Sequence, residues 1–392
     1  MADTSVKYLH NMMPGAPVLS GVAGSLINVL DACLVNGFGV SAVASLVVAG
    51  GIATATISGG HSGEYGSVML VAGATPSGLN GEKKVLSVGG GGTTLTFDAA
   101  GISDQTATGA ITIKVAPAGW AKAFSGTNLA AYRSADVAAT GCFLRIDDSV
   151  GKTARVVGYE TMGGISTGSS PFPTVQQRSG GTWWTKSGQA DATAVPWLVV
   201  ADGRFFYLLM FYNKTYGGGG GAFMAFGDIL PVKSGDAWSC VLSGYASDKS
   251  GSVPGDTNDY GVLRNSADEL YLARSYTAVG SAAQAFKAFP LLLPSTVTGF
   301  ASGNGPMAYP NGPDQGLYLT PHQVFEWPYS ALRGVSPGLY CCPQNLPVGL
   351  FAPGQLIASA DNLIGRDLRV MLFGASTATG AFAFFDTTGP WR

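Results

Sequence analysis

Two serines lie in the pattern Gly-x-Ser-x-Gly, which is typical of the nucleophile of serine hydrolases. They are Ser166 in GISTG and Ser336 in GVSPG. In those enzymes the serine sits on a sharp turn between a strand and a helix. Here Pro337 follows Ser336 directly and SSPFP follows Ser166 closely, so neither serine can begin a helix. We therefore predict no nucleophile at either position.

Two glycine-containing segments could bind phosphate. Residues 214–223, KTYGGGGGAF, fit the dinucleotide pattern GxGxxA, and residues 149–153, SVGKT, contain the end of a phosphate-binding loop. Such loops join a strand to the N-terminus of a helix. Strand-like sequence lies on both sides of each segment. We therefore predict two hairpin turns, with Tyr216 at the tip of the first, and no nucleotide site.

Histidines and acidic residues give no metal or acid–base pattern. His10, His61 and His322 lie in separate segments, and no paired His or Cys-x-x-Cys spacing could build a tetrahedral zinc site. Neighbouring acids occur at 147–148 and 268–269, and we interpret both pairs as solvated strand ends. A glycosidase needs two carboxyl groups roughly 5–10 Å apart, which neighbours do not predict. We therefore expect no metal, no cofactor and no catalytic residue.

An aromatic cluster is the candidate ligand-binding site. Its members are Trp183, Trp184, Trp197, Tyr212 and Tyr216. These side chains could form a stacking platform for a sugar or anchor a protein interface. The alternative is a core position, because adjacent residues of a strand point to opposite sides and one of Trp183 and Trp184 then faces the core.

Short apolar runs between turn residues predict a mainly β protein. Residues 47–115 contain GIATATI, SVMLVAGA, KKVLSV, TTLTFDA and AITIKVA, at the spacing of a small barrel or sandwich. Further runs from GCFLRIDDS to GAFAFFDTT predict a longer antiparallel region. We expect an N-terminal arm and helix (1–46), a small β-barrel or β-sandwich domain (47–118) and a larger antiparallel β-sandwich-like region (119–392). A further boundary near 247–265 is the alternative for the last part.

Two segments have a helical pattern. In SLINVLDACLVNG, Ser25 can cap the start and Gly37 suits the end. Its apolar residues fall on one face at three- and four-residue spacing: Leu26, Val29, Leu30, Cys33 and Leu34. A second candidate is GTNLAAYRSAD, residues 126–136. We expect the first helix to pack against the sheet that follows it.

The chain is poor in charged side chains. Of its 392 residues, 46% are hydrophobic and only 12% are charged, and 57 are glycine. That charged share is about half the usual one, so the surface is weakly protected against association. We therefore expect neighbouring subunits to cover much of it. The net charge of −2 provides no basic stripe for phosphates, so we predict no nucleic-acid partner.

Cysteine usage and the N-terminus predict where the chain is made. Its five cysteines are scattered, and adjacent Cys341 and Cys342 would point to opposite faces of a strand. We expect reduced structural thiols and assembly in a cytoplasm. MADTSVKYLHNMM lacks the basic and apolar regions of a signal peptide, so we expect no export by that route. Residues 32–63 carry no charge, but their Ser, Thr and Gly content and period-two pattern favour a strand over stable membrane insertion.

Segments spread over most of the chain carry a family resemblance. They are SLINVLDACLVNGFG, NGEKKVLSV, TFDAAG, APAGWAKAFSGTNLAAYRS, LRIDDS, ADGRFFYLLMFY, FGDILPVKSGDAWSCVLSG, LRGVSPGLY and FDTTGPWR. They resemble virion structural proteins of tailed bacteriophages, usually encoded among tail or baseplate genes. The resemblance carries no active-site residues. It implies a non-enzymatic part of the tail, baseplate or neck, located in the virion, which assembles in the host bacterial cytoplasm with other virion proteins and with copies of itself.

Two other functions stay open at this point. A receptor-binding module would use the region of Trp183 and Trp184 and the hairpin tip at Tyr212–Tyr216 to bind a glycan of the host surface. A depolymerase acting on such a glycan would need a separated pair of acids, which the sequence does not identify. We expect the structural role, with the receptor-binding module as the alternative.

Overall fold

The structure is a computed structural model. It describes residues 2–211, 221–249, 269–288, 307–347, 349–358, 365–375 and 380–392. Across these residues the protein is mainly β, with antiparallel strands in three sheets. The predicted mainly β, antiparallel class is therefore confirmed. Among the described residues, no helix combines the length and hydrophobicity needed to cross a membrane.

The N-terminal segment forms a strand and a helix with a π-helical extension: β1 (Lys7–His10), α1 (Ser25–Leu30) and Asp31–Asn36. The predicted apolar face of this helix is buried. Gly37 ends it with φ at 71°, a conformation that glycine adopts without strain. The predicted cap is wrong, because Ser25 is already helical and its hydroxyl donates to the carbonyl oxygen of Ser20 at 2.7 Å.

Residues 38–115 form an eight-stranded sheet. Its strands are β2 (Phe38–Ala42), β3 (Ser45–Ala49), β4 (Ile52–Thr56), β5 (Val68–Ala72), β6 (Gly81–Gly89), β7 (Thr94–Asp98), β8 (Gln105–Thr106) and β9 (Thr112–Val115), with a 3₁₀ turn at Ser77–Leu79. Their order is β2-β9-β5-β6-β7-β4-β3-β8. The long strand β6 joins two halves, because it pairs with β5 up to Lys84 and with β7 from Val85 onward.

The second sheet has six strands. They are β10 (Trp120–Gly126), β11 (Leu129–Ser134), β12 (Phe143–Asp147), β13 (Thr153–Gly164), β14 (Thr167–Phe172) and β15 (Thr182–Thr185). The helix predicted at 126–136 is wrong. This segment contains β11, whose Ala130, Ala131 and Tyr132 become fully buried when it pairs with β10 and β12. The hairpin turn predicted at 149–153 is confirmed, since β12 and β13 pair directly across it.

The third sheet combines β1 with twelve later strands. These are β16 (Trp197–Ala201), β17 (Phe205–Met210), β18 (Ala222–Asp228), β19 (Leu230–Pro231), β20 (Cys240–Ser243), β21 (Leu270–Leu272), β22 (Ala283–Ala288), β23 (Thr320–Glu326), β24 (Ala331–Cys341), β25 (Leu356–Ala358), β26 (Asp367–Ala375) and β27 (Gly380–Asp386). The order is β1-β16-β17-β18-β20-β21-β22-β23-β24-β27-β26-β25, with β19 beside β24. Strands β17 and β18 pair on either side of the glycine run, although its residues 212–220 lie outside the described chain.

The thirteen-stranded sheet has two hydrophobic cores at its centre. Along β16, β17 and β18, every second side chain lies in a first core, which these strands share with α1 and the other two sheets. The side chains between them lie in a second core inside this sheet. Burial on both faces explains the nearly continuous apolar sequence of these strands. The second core also receives Tyr8 of β1 and Phe385 of β27. Cys341 lies in this core and Cys342 in a third cluster, so they face opposite sides as predicted.

Strands β1 and β26, from the two ends of this sheet, contact each other along a seam. Residues of the eight-stranded sheet lie against this seam. The guanidinium carbon of Arg369 on β26 lies 5.2 Å from the ring centre of Tyr8 on β1. Nζ of Lys84 on β6 donates to the carbonyl oxygen of Thr387 at 2.9 Å. His10 Nε2 on β1 lies 2.9 Å from Glu64 Oε1, which precedes β5. Polar contacts therefore join the two sheets at this seam.

Glu64→Gln should remove part of the acid sensitivity of the fold. Burial alone would raise the pKa of Glu64, but the hydrogen bond and charge of His10 and the charge of Arg369 lower it overall. A carboxyl with a lowered folded pKa stabilises the fold above its unfolded pKa of about 4.3, and this contribution disappears as the pH falls through the folded pKa. We expect the variant to be less stable than the wild type at about pH 7, and this difference in stability to shrink as the pH falls toward about 3. Urea unfolding at both pH values measures this, and a constant difference would contradict it.

Candidate functional site

The structure places two tryptophans of the predicted aromatic cluster in the first core. Trp184 and Trp197 are both fully buried. Nε1 of Trp184 donates to the carbonyl oxygen of Ser243 at 2.7 Å, which satisfies its polar edge inside the protein. Trp184 and Trp197 therefore expose no ring on which a ligand could stack.

Trp183 points to the other side of β15. It is partly buried, and the guanidinium carbon of Arg155 lies 3.9 Å from the centre of its ring. That cation covers one face of the ring, and Trp183 also packs against the first core, which leaves little free ring for a sugar. Tyr212 and Tyr216, the other two members of the predicted site, lie outside the described residues.

Ser336 and His322 lie next to each other, which the sequence analysis did not anticipate. Ser336 Oγ and His322 Nδ1 are 2.8 Å apart on β24 and β23. A serine beside a histidine is the usual arrangement of an activated nucleophile. Here, however, Ser336 is fully buried within a strand and His322 is 2% exposed, so a substrate has no access to the pair. Ser166 lies in the turn between β13 and β14, with no helix after it.

Asp148 forms a buried ion pair with Lys186, and neither side chain has exposed surface. Oδ1 of Asp148 accepts a hydrogen bond from Nζ of Lys186, and Oδ2 accepts the backbone N–H groups of Leu26 at 2.9 Å and Ile27 at 3.3 Å. This carboxylate therefore caps α1 from a distant part of the chain. Burial raises the pKa of Asp148 and lowers that of Lys186, and their attraction opposes both shifts.

The interpretation of the acid pairs as solvated strand ends is therefore wrong for Asp148. It is also wrong for Glu269, which is 2% exposed, whereas Asp268 lies outside the described residues.

Within the described ranges, no three His, Cys, Asp or Glu side chains are placed to hold a metal ion. Nε2 of His61 lies 3.1 Å from the carbonyl oxygen of Thr94, within hydrogen-bond distance. All five cysteines are buried free thiols.

One broad surface on the eight-stranded sheet is almost free of charge. Its outward side chains form three rows across the strands: Thr106, Val47, Thr54, Thr96 and Ser87; then Ser45, Thr56 and Thr94; then Ala49, Ile52 and Asp98. We call these eleven residues the neutral face. Asp98 is the one charged member of this set. The intervening residues of β3, β4 and β7 are buried in the first core, so the face rests on a packed layer.

The chemistry of the neutral face suits packing against another protein. Val47 and Ile52 are 38% and 39% exposed, and the hydroxyl oxygens of Ser87 and Thr96 lie 2.7 Å apart, so they bond to each other. Apart from Asp98 in its last row, covering this face removes methyl groups from water without stripping a charge of its hydration. The edge strand β8 has two residues, and a short edge disfavours edge-to-edge pairing. Contact between the neutral face and another protein is therefore favoured over pairing through the edge strand β8.

A second exposed surface lies at the turn between β23 and β24. Trp327 and Tyr329 on this turn are 50% and 69% exposed, and Tyr276 on the loop after β21 is 49% exposed. We call these three residues the aromatic tip. The rings of Tyr276 and Tyr329 meet edge-on with centroids 6.1 Å apart, and Trp327 meets Phe286 in the same way at 6.1 Å.

A buried carboxylate holds the two loops of the aromatic tip together. Glu326 is 1% exposed, and it accepts hydrogen bonds from the hydroxyl of Ser275 at 2.5 Å and the backbone N–H of Tyr276 at 2.7 Å. Arg333 donates to Glu326 at 2.7 Å and to Asp236 at 2.7 Å. This surface was not predictable from local sequence because its residues come from separate loops. The segment FEWPYS, with aromatic residues on both sides of a proline, was the available signal for an exposed turn.

No protein-family model matches the chain, and no curated protein does. The two surfaces and the resemblance seen in the sequence are therefore the grounds for assigning a function.

Proposed function

We propose that the chain is a non-enzymatic structural component of a tailed bacteriophage particle, in its tail, baseplate or neck. In this proposal the two halves of the eight-stranded sheet form a small β-sandwich whose neutral face contacts other virion proteins or copies of the same chain. Residues 119–392 form the larger sandwich-like region. The protein is made in the host cytoplasm and is retained in the virion.

The neutral face is the observation that carries this proposal. A stable protein interface buries about 800 Å² on each partner, and each Å² of apolar surface removed from water contributes about 25 cal/mol. A broad, rigid surface of small neutral side chains can supply this contact without burying an unpaired charge. The resemblance to virion structural proteins supplies the biological setting.

Two pairs of side chains that could do chemistry in an open site are buried here, which supports a structural role over an enzymatic one. His322 and Ser336 are enclosed between strands, and Asp148 and Lys186 are enclosed beneath α1. Each pair links separate elements of the fold. None of these four side chains lies where a substrate could reach it.

Deleting the gene tests the structural role. We expect particles without this chain to lack a complete tail or baseplate in electron micrographs and to be non-infectious, because their interfaces lose one partner. Supplying the wild-type chain from a plasmid should restore both properties. Complete and infectious tails assembled without the chain would overturn the proposal.

A further inference from the structure

The aromatic tip has too little exposed ring surface for an ordinary protein interface. Its three side chains are 49%, 50% and 69% exposed. At 150–250 Å² for each aromatic side chain, they offer on the order of 300 Å². A stable protein interface needs about 800 Å² on each partner. The rings alone therefore offer an area of the size that a small ligand covers, whereas a protein would need further contacts around them.

The arginines beside the aromatic tip are already paired within the chain. Arg274 forms two hydrogen bonds with the carboxylate of Glu160, at 2.5 and 2.7 Å. Arg333 is 3% exposed and is paired with Glu326 and Asp236. Neither guanidinium is left to attract a phosphate, a sulfate or a carboxylate. The two arginines therefore favour a ligand without negative charge.

The tip also combines flat apolar rings with polar edges. Phenol and indole rings stack through their faces, and their O–H and N–H groups form hydrogen bonds at the rim. A pyranose ring has the matching character, with C–H groups on its faces and hydroxyl groups around its edge. We propose that the aromatic tip binds a neutral carbohydrate by stacking of pyranose rings on Tyr276, Trp327 and Tyr329.

The buried network beneath the tip supports this binding role. Glu326 fixes the loop of Tyr276 to the turn that carries Tyr329 before any ligand arrives. A surface that is already ordered loses less conformational entropy on binding. The site is distinct from the one predicted at Trp183 and Trp184, and it does not depend on the neutral face.

Calorimetric titration of the full chain with maltotetraose, cellotetraose and tetra-N-acetylchitotetraose, all of them neutral, tests the proposal. We expect at least one oligosaccharide to bind, and Trp327→Ala and Tyr329→Ala each to weaken that binding by about tenfold through loss of a stacked ring. Tyr329→Phe keeps the ring and should bind within about twofold of the wild type. Tyr318, which is 40% exposed outside the tip, provides the matched control Tyr318→Ala, with unchanged binding.

Thermal unfolding of each variant separates lost binding from lost folding, and we expect transitions close to the wild type because the replaced rings are exposed. Absence of binding by all three sugars would overturn the proposal. Binding that survives both alanine variants would overturn it as well. If no sugar binds and the alanine variants fail to enter particles, the tip is a protein contact and the carbohydrate proposal is wrong. The structural role of the chain is decided separately by the gene deletion.

Discussion

Lys186→Met should lower the free energy of unfolding by about 3–5 kcal/mol. The lysine and Asp148 are both fully enclosed, so the variant leaves a carboxylate in the interior without its counter-charge. Methionine has a similar length and no charge, so little packing is lost. Whole domains of ordinary stability unfold with about 5–15 kcal/mol, so the variant should lose a large fraction of the total. Urea or guanidinium unfolding measures the difference.

Two further variants show whether the effect comes from the unpaired charge. Lys186→Met combined with Asp148→Asn removes both charges, and asparagine can still accept the N–H groups at the start of α1. We expect this double variant to be more stable than Lys186→Met alone. Lys122 forms a 2.8 Å ion pair with Asp31 in which the side chains are 26% and 22% exposed, so Lys122→Met should cost less than Lys186→Met. A loss of stability for Lys186→Met as small as that for Lys122→Met would contradict the expected cost of leaving Asp148 buried without its counter-charge.

Thr54→Lys should reduce incorporation of the chain into particles by at least about 100-fold. Thr54 lies at the centre of the longest row of the neutral face, between Val47 and Thr96. A lysine there would be buried without a partner when a neighbouring subunit covers the face, and such burial costs several kcal/mol. Each 1.4 kcal/mol changes an equilibrium about tenfold. Immunoblotting of purified particles measures incorporation.

Controls for this prediction come from the same chain. Thr54→Val keeps the face neutral and should be incorporated normally. The Val137 side chain is fully exposed, so Val137→Lys adds the same charge outside the neutral face and should also be incorporated. The isolated Thr54→Lys protein should unfold within about 0.5 kcal/mol of the wild type, because the position faces solvent. Normal incorporation of Thr54→Lys would show that no subunit covers the neutral face.

Local sequence predicted much of the fold because burial repeats with the period of the secondary structure. GIATATI and TTLTFDA alternate strictly, and they form β4 and β7 with one buried and one outward side. The helical spacing from Leu26 to Leu34 likewise predicted the buried face of α1 and its extension. Low charge led us to expect a covered surface, and only the strand order shows that Val47, Thr54 and Thr96 lie side by side on one face of the sheet.

Contacts between distant segments were not predictable in the same way. Residues 126–136 have a composition that suits a helix, yet pairing on both edges makes β11 a strand. Asp148 lies in a turn, where a solvated carboxylate is the ordinary expectation. Its partner Lys186 and the helix it caps come from other parts of the chain.

The aromatic residues show the same limit. Adjacent tryptophans correctly predicted opposite sides of a strand, but sequence did not show that Arg155 would cover Trp183. Tyr276 and Tyr329 meet only because β21, β22, β23 and β24 are neighbours in one sheet. A candidate site built from separate loops therefore needed the structure.

A reconstruction of the whole phage particle tests the central claim most directly. We predict density for this chain in the tail, baseplate or neck, with side chains of the neutral face within about 4 Å of a neighbouring subunit. Absence of the chain from purified particles, or a neutral face that points into solvent, would contradict the account.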